Sequence, residues 1–176
     1  MRTRMKIKIA SLLLVASSLF SAWLYWGSDL KVEQILAANE WQSNMVTVIN
    51  DELNPDGSVG PLRKVTVTSN VKYLPNGNYI RVAMLKLFSH ESSQEVTISI
   101  SESGQWDVSD NYLLVTPKEF KDISSSKSQD FSEAQLKVIT KVFKMDAQQS
   151  RRIDIVNEKT LLLTSLNHGS TVLFSN

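Results

Sequence analysis

The sequence predicts a mainly β protein: a single N-terminal transmembrane helix, then one antiparallel β domain with one late α-helix. Three observations carry this. Residues 9–28 hold no charge and directly follow Arg2, Arg4, Lys6 and Lys8. Beyond residue 40, apolar and polar residues alternate in short runs separated by Gly, Pro, Asn and Asp, as in half-buried strands joined by turns. A convincing helical period returns only after Ser132.

The uncharged run is 20 residues long, and a bilayer core of roughly 30 Å needs about that many at 1.5 Å per residue. A cleaved secretory signal also begins with positive charge and an apolar core, and Ala16-Ser17-Ser18 has the small residues that a cleavage site needs. Leu19, Phe20, Trp23, Leu24, Tyr25 and Trp26 prolong the apolar run well past that point, which favours an uncleaved anchor. Trp23, Tyr25 and Trp26 then form an aromatic belt at the far interface, and the four basic residues hold the N-terminus in the cytoplasm. The expected organisation is a cytoplasmic N-terminus (1–8), a transmembrane helix in the inner membrane (9–28) and a periplasmic domain (29–176).

All 18 acidic residues of the chain lie beyond residue 28 and four of its 19 basic ones before it, so the outer domain has three negative charges in excess. That balance argues against direct nucleic-acid binding, which relies on a basic footprint. Zero cysteines exclude disulfides and thiolate metal sites. A domain of this size buries about 70% of the surface its unfolded chain exposes, enough for a core without staples.

In chain order, residues 29–38 predict a short juxtamembrane helix and 41–49 a first strand that ends at Asn50-Asp51. Residues 64–74 alternate Val65, Val67, Val71 and Tyr73 against polar neighbours. Asn76-Gly77 then predicts a type I′ hairpin turn into a strand over 79–88. In that strand Arg81 and Lys86 fall on opposite faces. Either a bulge near 83–85 resets the phase, or one of the two cations faces a polar interior. Val96, Ile98 and Ile100 alternate in the next strand; Ser103-Gly104 predicts a turn; 105–109, 112–116 and their Asp110-Asn111 turn continue the meander to Pro117. Residues 124–130 read as a solvated loop. Ser132 and Gln135 form a capping box with Phe131 and Leu136 as its staple, opening a helix whose stripe of Leu136, Val138, Ile139, Val142, Phe143 and Met145 packs on the sheet. Strands over 151–157, 160–166 and 171–174 follow, the last two joined by a turn at Asn167-His168-Gly169.

Eight or nine short antiparallel strands suit an up-and-down, lipocalin-like β-barrel, because closure removes sticky edges. Val65, Val67, Val71, Tyr73, Val96, Ile98 and Ile100 face inward. They are core residues, and they line a ligand if the interior is left hollow. Chemistry is sparse. His90 and His168 fall in turns, Asp107, Asp110, Glu119 and Asp122 are scattered, and Arg151-Arg152 read as solvent-facing rather than as an anion site. No metal set, cofactor loop or catalytic constellation is expected.

The stretches SAWLYWGSD, EWQSNMV, VTSNVKYLPNG, DVSDNYLLVTPKEFKDISS, KMDAQQSRRIDIVNE and HGSTVLF together resemble the ToxS family over nearly the whole chain. The MRTR before Met5 is the one departure. The resemblance implies a single-pass partner of a ToxR-type membrane-bound transcription activator. Such a partner stabilises the activator's periplasmic domain against proteolysis and promotes its activity at virulence and outer-membrane porin genes. By analogy with related pairs whose outer domains form a joint barrel, it also implies that the heterodimer senses bile salts. No catalytic residue comes with the family. The competing classes are a purely structural partner or chaperone, a tethered lipid-binding barrel, and a tethered hydrolase, for which no converging polar constellation is present.

Overall fold

A computed structural model describes residues 2–27, 29–49, 59–89, 95–124, 130–165 and 169–175. Residues 50–58, which follow the first expected strand, the core of the Ser-rich segment (125–129), His90 and the Asn167-His168 part of the last turn lie outside the described residues. Two helices open the chain, α1 (Arg2–Gly27) and α2 (Leu30–Ala38). Eight strands follow, β1 (Glu40–Val48), β2 (Leu62–Tyr73), β3 (Asn78–Ser89), β4 (Glu95–Ser109), β5 (Tyr112–Ser124), β6 (Arg151–Asn157), β7 (Thr160–Ser165) and β8 (Gly169–Phe174), with α3 (Glu133–Ala147) between β5 and β6. Each strand pairs antiparallel with its neighbours in sequence, and β1 meets β8 to close the barrel.

Among the described residues no single helix is long and apolar enough to cross a membrane by itself; Ile9–Tyr25 and Leu30–Ala38, bent by 61° to each other, reach that length and apolarity together. The side chains described in α1 are exposed to its surroundings throughout. Helix α2 turns away and inserts Val32 and Leu36 into one mouth of the barrel. Trp41 locks it there by donating its indole N–H to the Leu36 carbonyl at 2.9 Å. Asp29, just before α2, accepts the backbone N–H groups of Asp110 and Asn111, both at 3.0 Å. Those two residues have φ of 53° and 63°, the geometry of a type I′ hairpin turn.

That turn type was expected at Asn76-Gly77, and there the structure differs. Only Gly77 has a positive φ, 76°. The Gly77 N–H reaches the Leu74 carbonyl and the Leu74 N–H the Asn78 carbonyl, so the hairpin closes over three residues with glycine in the left-handed position. A three-residue loop needs one positive φ, and Pro75 is committed to a negative one.

The expected turn at Ser103-Gly104 is absent: β4 runs straight through it. Positions 96, 98, 100, 102, 104, 106 and 108 are all buried in one unbroken phase. The irregularity lies on the neighbouring strand, where Ser103 pairs Glu119 and Gly104 pairs Pro117, leaving Lys118 as the extra residue. Proline has no N–H to lose there. The bulge moves the inward phase of β5 from Leu113 and Val115 to Phe120, which joins the interior.

The expected bulge in β3 is also absent. Its register with β4 is continuous from Asn78 to Phe88, and the other resolution holds: Arg81 points inward while Lys86 points out and pairs with Glu95 at 2.8 Å. Helix α3 carries the expected capping box, with Ser132 and Gln135 each bonding the other's backbone N–H. Its apolar stripe is split: Leu136, Ile139 and Phe143 pack on the barrel, whereas Val138, Val142 and Met145 are exposed. A helix with the barrel on one side only buries the part of its apolar stripe that faces it.

Candidate binding site in the barrel interior and its seams

The inner face is built by alternation, odd positions in β2 and β3 and even ones in β4. Of the seven inward residues named from sequence, Val67, Val71, Tyr73, Val96, Ile98 and Ile100 are buried and Val65 is half-buried. They fall into two clusters. Val71 and Tyr73 pack with α2, Trp41, Tyr79 and Trp106 at the α2 end. Val65, Val67, Val96, Ile98 and Ile100 pack with Leu85, Leu87 and α3 at the other.

Between the clusters lies a charged layer. Glu102 continues the even phase of β4 inward and is 1% exposed. Its carboxylate accepts hydrogen bonds from the Tyr79 hydroxyl and the Arg81 guanidinium. The guanidinium lies 5.4 Å from the centre of the Phe143 ring of α3, and its Nε is buried without a hydrogen-bond partner. Burial raises the Tyr73 hydroxyl pKa from 10.0 to about 12, against the pull of Arg81 and Arg151. Burial, and then the bond to Glu102, push Tyr79 up as well. The signal for Glu102 was present in the sequence, since it follows Val96, Ile98 and Ile100 at the same spacing; the turn expected at Ser103-Gly104 concealed that the strand went on.

Other polar candidates are not gathered into a site. Arg151 is tied to Asp146 at the end of α3 at 2.6 Å, and Arg152 pairs with Asp154 at 3.2 Å. Asp107, Asp110 and Glu119 are exposed. His90, His168 and the Asp122 side chain lie outside the described residues. Among those described, no cluster of His, Asp and Glu has the makings of a metal site.

Closure is uneven. β4 and β5 pair over almost their full lengths. By contrast, among the described residues β5 pairs with β6 only at Tyr112–Arg152 and Leu113–Arg151, and β1 with β8 only at Gln42–Phe174. Beyond these points, among the described residues, β1 and β5 have a partner strand on one side only, and α3 covers the interior cluster at that end.

An eight-stranded barrel closed at one mouth by a helix that follows an apolar N-terminal one is the class of protein the fold defines. The model of the family described as "Trans-membrane regulatory protein ToxS" matches residues 25–174. A Transmembrane regulatory protein ToxS of Vibrio parahaemolyticus serotype O3:K6 (strain RIMD 2210633) is 74% identical over 172 residues, covering 98% of this chain and all of that protein. One from Vibrio cholerae serotype O1 (strain ATCC 39315 / El Tor Inaba N16961) is 64% identical over 168 residues, covering 96% of each. The chain belongs to the ToxS family of transmembrane regulatory proteins.

Proposed function

We propose that this chain is a non-enzymatic, membrane-anchored regulatory partner. Residues 1–8 lie in the cytoplasm, 9–28 cross the inner membrane once, and 29–176 form a periplasmic domain. That domain binds and stabilises the periplasmic domain of a ToxR-type transcription activator and, in complex with it, senses a bile salt or a similar amphipathic ligand. The observation that carries the reading is the pair of thin seams: strand edges with free N–H and C=O groups invite a partner strand. Two anchored proteins share one plane, so even a weak contact has a raised effective concentration.

A regulator without chemistry acts by binding one state of its target better than another. If the ligand sits in a joint cavity, linkage requires that it tighten the pair by the same factor by which the pair tightens its own hold on the ligand. The test is the affinity between the two outer domains measured with and without saturating bile salt. Tighter association is expected, and Val96→Asp or Ile98→Asp should weaken ligand uptake. Equal affinities would leave a structural partner or chaperone, a reading favoured by how closely the inner residues already pack on one another and on α3.

A further inference from the structure

We infer that the cleft where α1 meets the barrel binds the phosphate of an anionic phospholipid headgroup. This rests on the reading above that α1 crosses the membrane. The cleft, about 640 Å³, is walled by the end of α1, one side of α2 and the β6–β7 turn. Tyr25 lies in it. An aromatic residue at the end of a spanning helix marks the headgroup level, so the cleft opens at that depth rather than in bulk water.

Its lining matches a phosphodiester. Lys31 comes from α2 and Lys159 from the β6–β7 turn, and among the described residues no ion pair engages either ammonium. Among the described residues Glu158 is the one carboxylate of the lining, so cations are in excess there. Asn39 is already oriented by its bond to the Glu158 carbonyl at 3.2 Å, and Gln34 adds a second carboxamide. Apolar groups stand beside these polar ones: Val156, in the lining, is 64% exposed, and Leu30, at the start of α2, 49%. Exposed apolar side chains next to unpaired lysines are costly in water but suit the boundary between headgroup and acyl chain, where ammonium groups snorkel to phosphate.

The experiment uses the full chain in nanodiscs of mixed phosphatidylglycerol and phosphatidylcholine, with bound lipid counted by native mass spectrometry after release. Phosphatidylglycerol should be retained over phosphatidylcholine, and Lys31→Gln and Lys159→Gln should each lower that preference about fivefold. Lys137→Gln, on the exposed side of α3, should leave it unchanged. Equal retention in the cleft variants, or an equal loss in Lys137→Gln, would overturn the site. Glycerol 1-phosphate held as firmly in pure phosphatidylcholine discs would overturn the lipid assignment in favour of a soluble phosphate. A chain that does not enter discs at all would overturn the anchored reading, before any lipid is counted.

Discussion

Glu102 is the residue most at odds with its surroundings, a carboxylate inside a barrel wall of valine, isoleucine and leucine. It persists because Arg81 neutralises it and Tyr79 donates to it. Removing one member of such a pair strands the other charge. Glu102→Met and Arg81→Met should therefore each cost about 3 kcal/mol of stability, while the two together should recover most of it, read as a double-mutant cycle of urea midpoints. Full additivity of the two single changes would show that the pair is not coupled. The neighbouring phenol sets a pH dependence. Tyr73 ionises near 10 in the unfolded chain and at about 12 in the folded one, so between those values the folded state binds more protons. Its contribution is complete below pH 10 and is lost as the pH rises through 12. Tyr73→Phe should flatten the decline of thermal midpoint with pH across that window; an unchanged slope would show that the hydroxyl is not held neutral by burial.

At the scale of elements, two glycines make different demands. Gly77 has a positive φ and room around it, with the nearest group to an added Cβ at 3.7 Å. Gly104 has an ordinary φ and no room: an added Cβ would collide with the Thr116 carbonyl oxygen and stand 2.8 Å from the Pro117 Cα and 2.9 Å from the Tyr79 ring. Backbone at that distance cannot turn aside as a side chain can. Gly77→Ala should cost about 1 kcal/mol for its angle, and Gly104→Ala about 2–3 kcal/mol for overpacking the bulge. Equal losses in thermal stability would mean that the β4–β5 bulge relaxes freely. The two sites also show what reading the sequence achieves. Asp110-Asn111 and Asn76-Gly77 look alike as turn signals, yet loop length decides the turn type, and loop length follows from strand register. At Ser103-Gly104, small residues signalled a turn, whereas the glycine was there to let two backbones approach.

For the whole molecule, the consequence lies in the uneven closure. Among the described residues, one side of β5 beyond Leu113 has no partner strand, and the same holds for β1 beyond Gln42. In an antiparallel edge strand, alternate N–H groups face the free side. Hydrogen exchange should find every second amide of β1 over residues 43–48, and of β5 beyond Leu113, faster than its neighbours. An added partner domain should slow those same amides. Uniform protection in the free domain would mean that α3 already seals the seams.

The barrel and the inward set from Val65 to Ile100 were legible from alternation, because side-chain period is a local property of an extended chain and burial follows it, and the late helix from its capping box and apolar stripe; that residues 95–109 form one strand rather than two was not. Arg81 was legible only as a conflict. Its resolution needed Glu102 across the β3–β4 register, a contact between residues 21 positions apart. The clasp of Asp29 on Asp110 and Asn111 spans more than 80 positions. The thin seams depend on where the β1–β8 and β5–β6 ladders stop. Sequence pattern determines which side of a strand is dry; which charge meets which, and where the sheet fails to close, are decided by three-dimensional register, since these are relations between strands and not properties of any one of them.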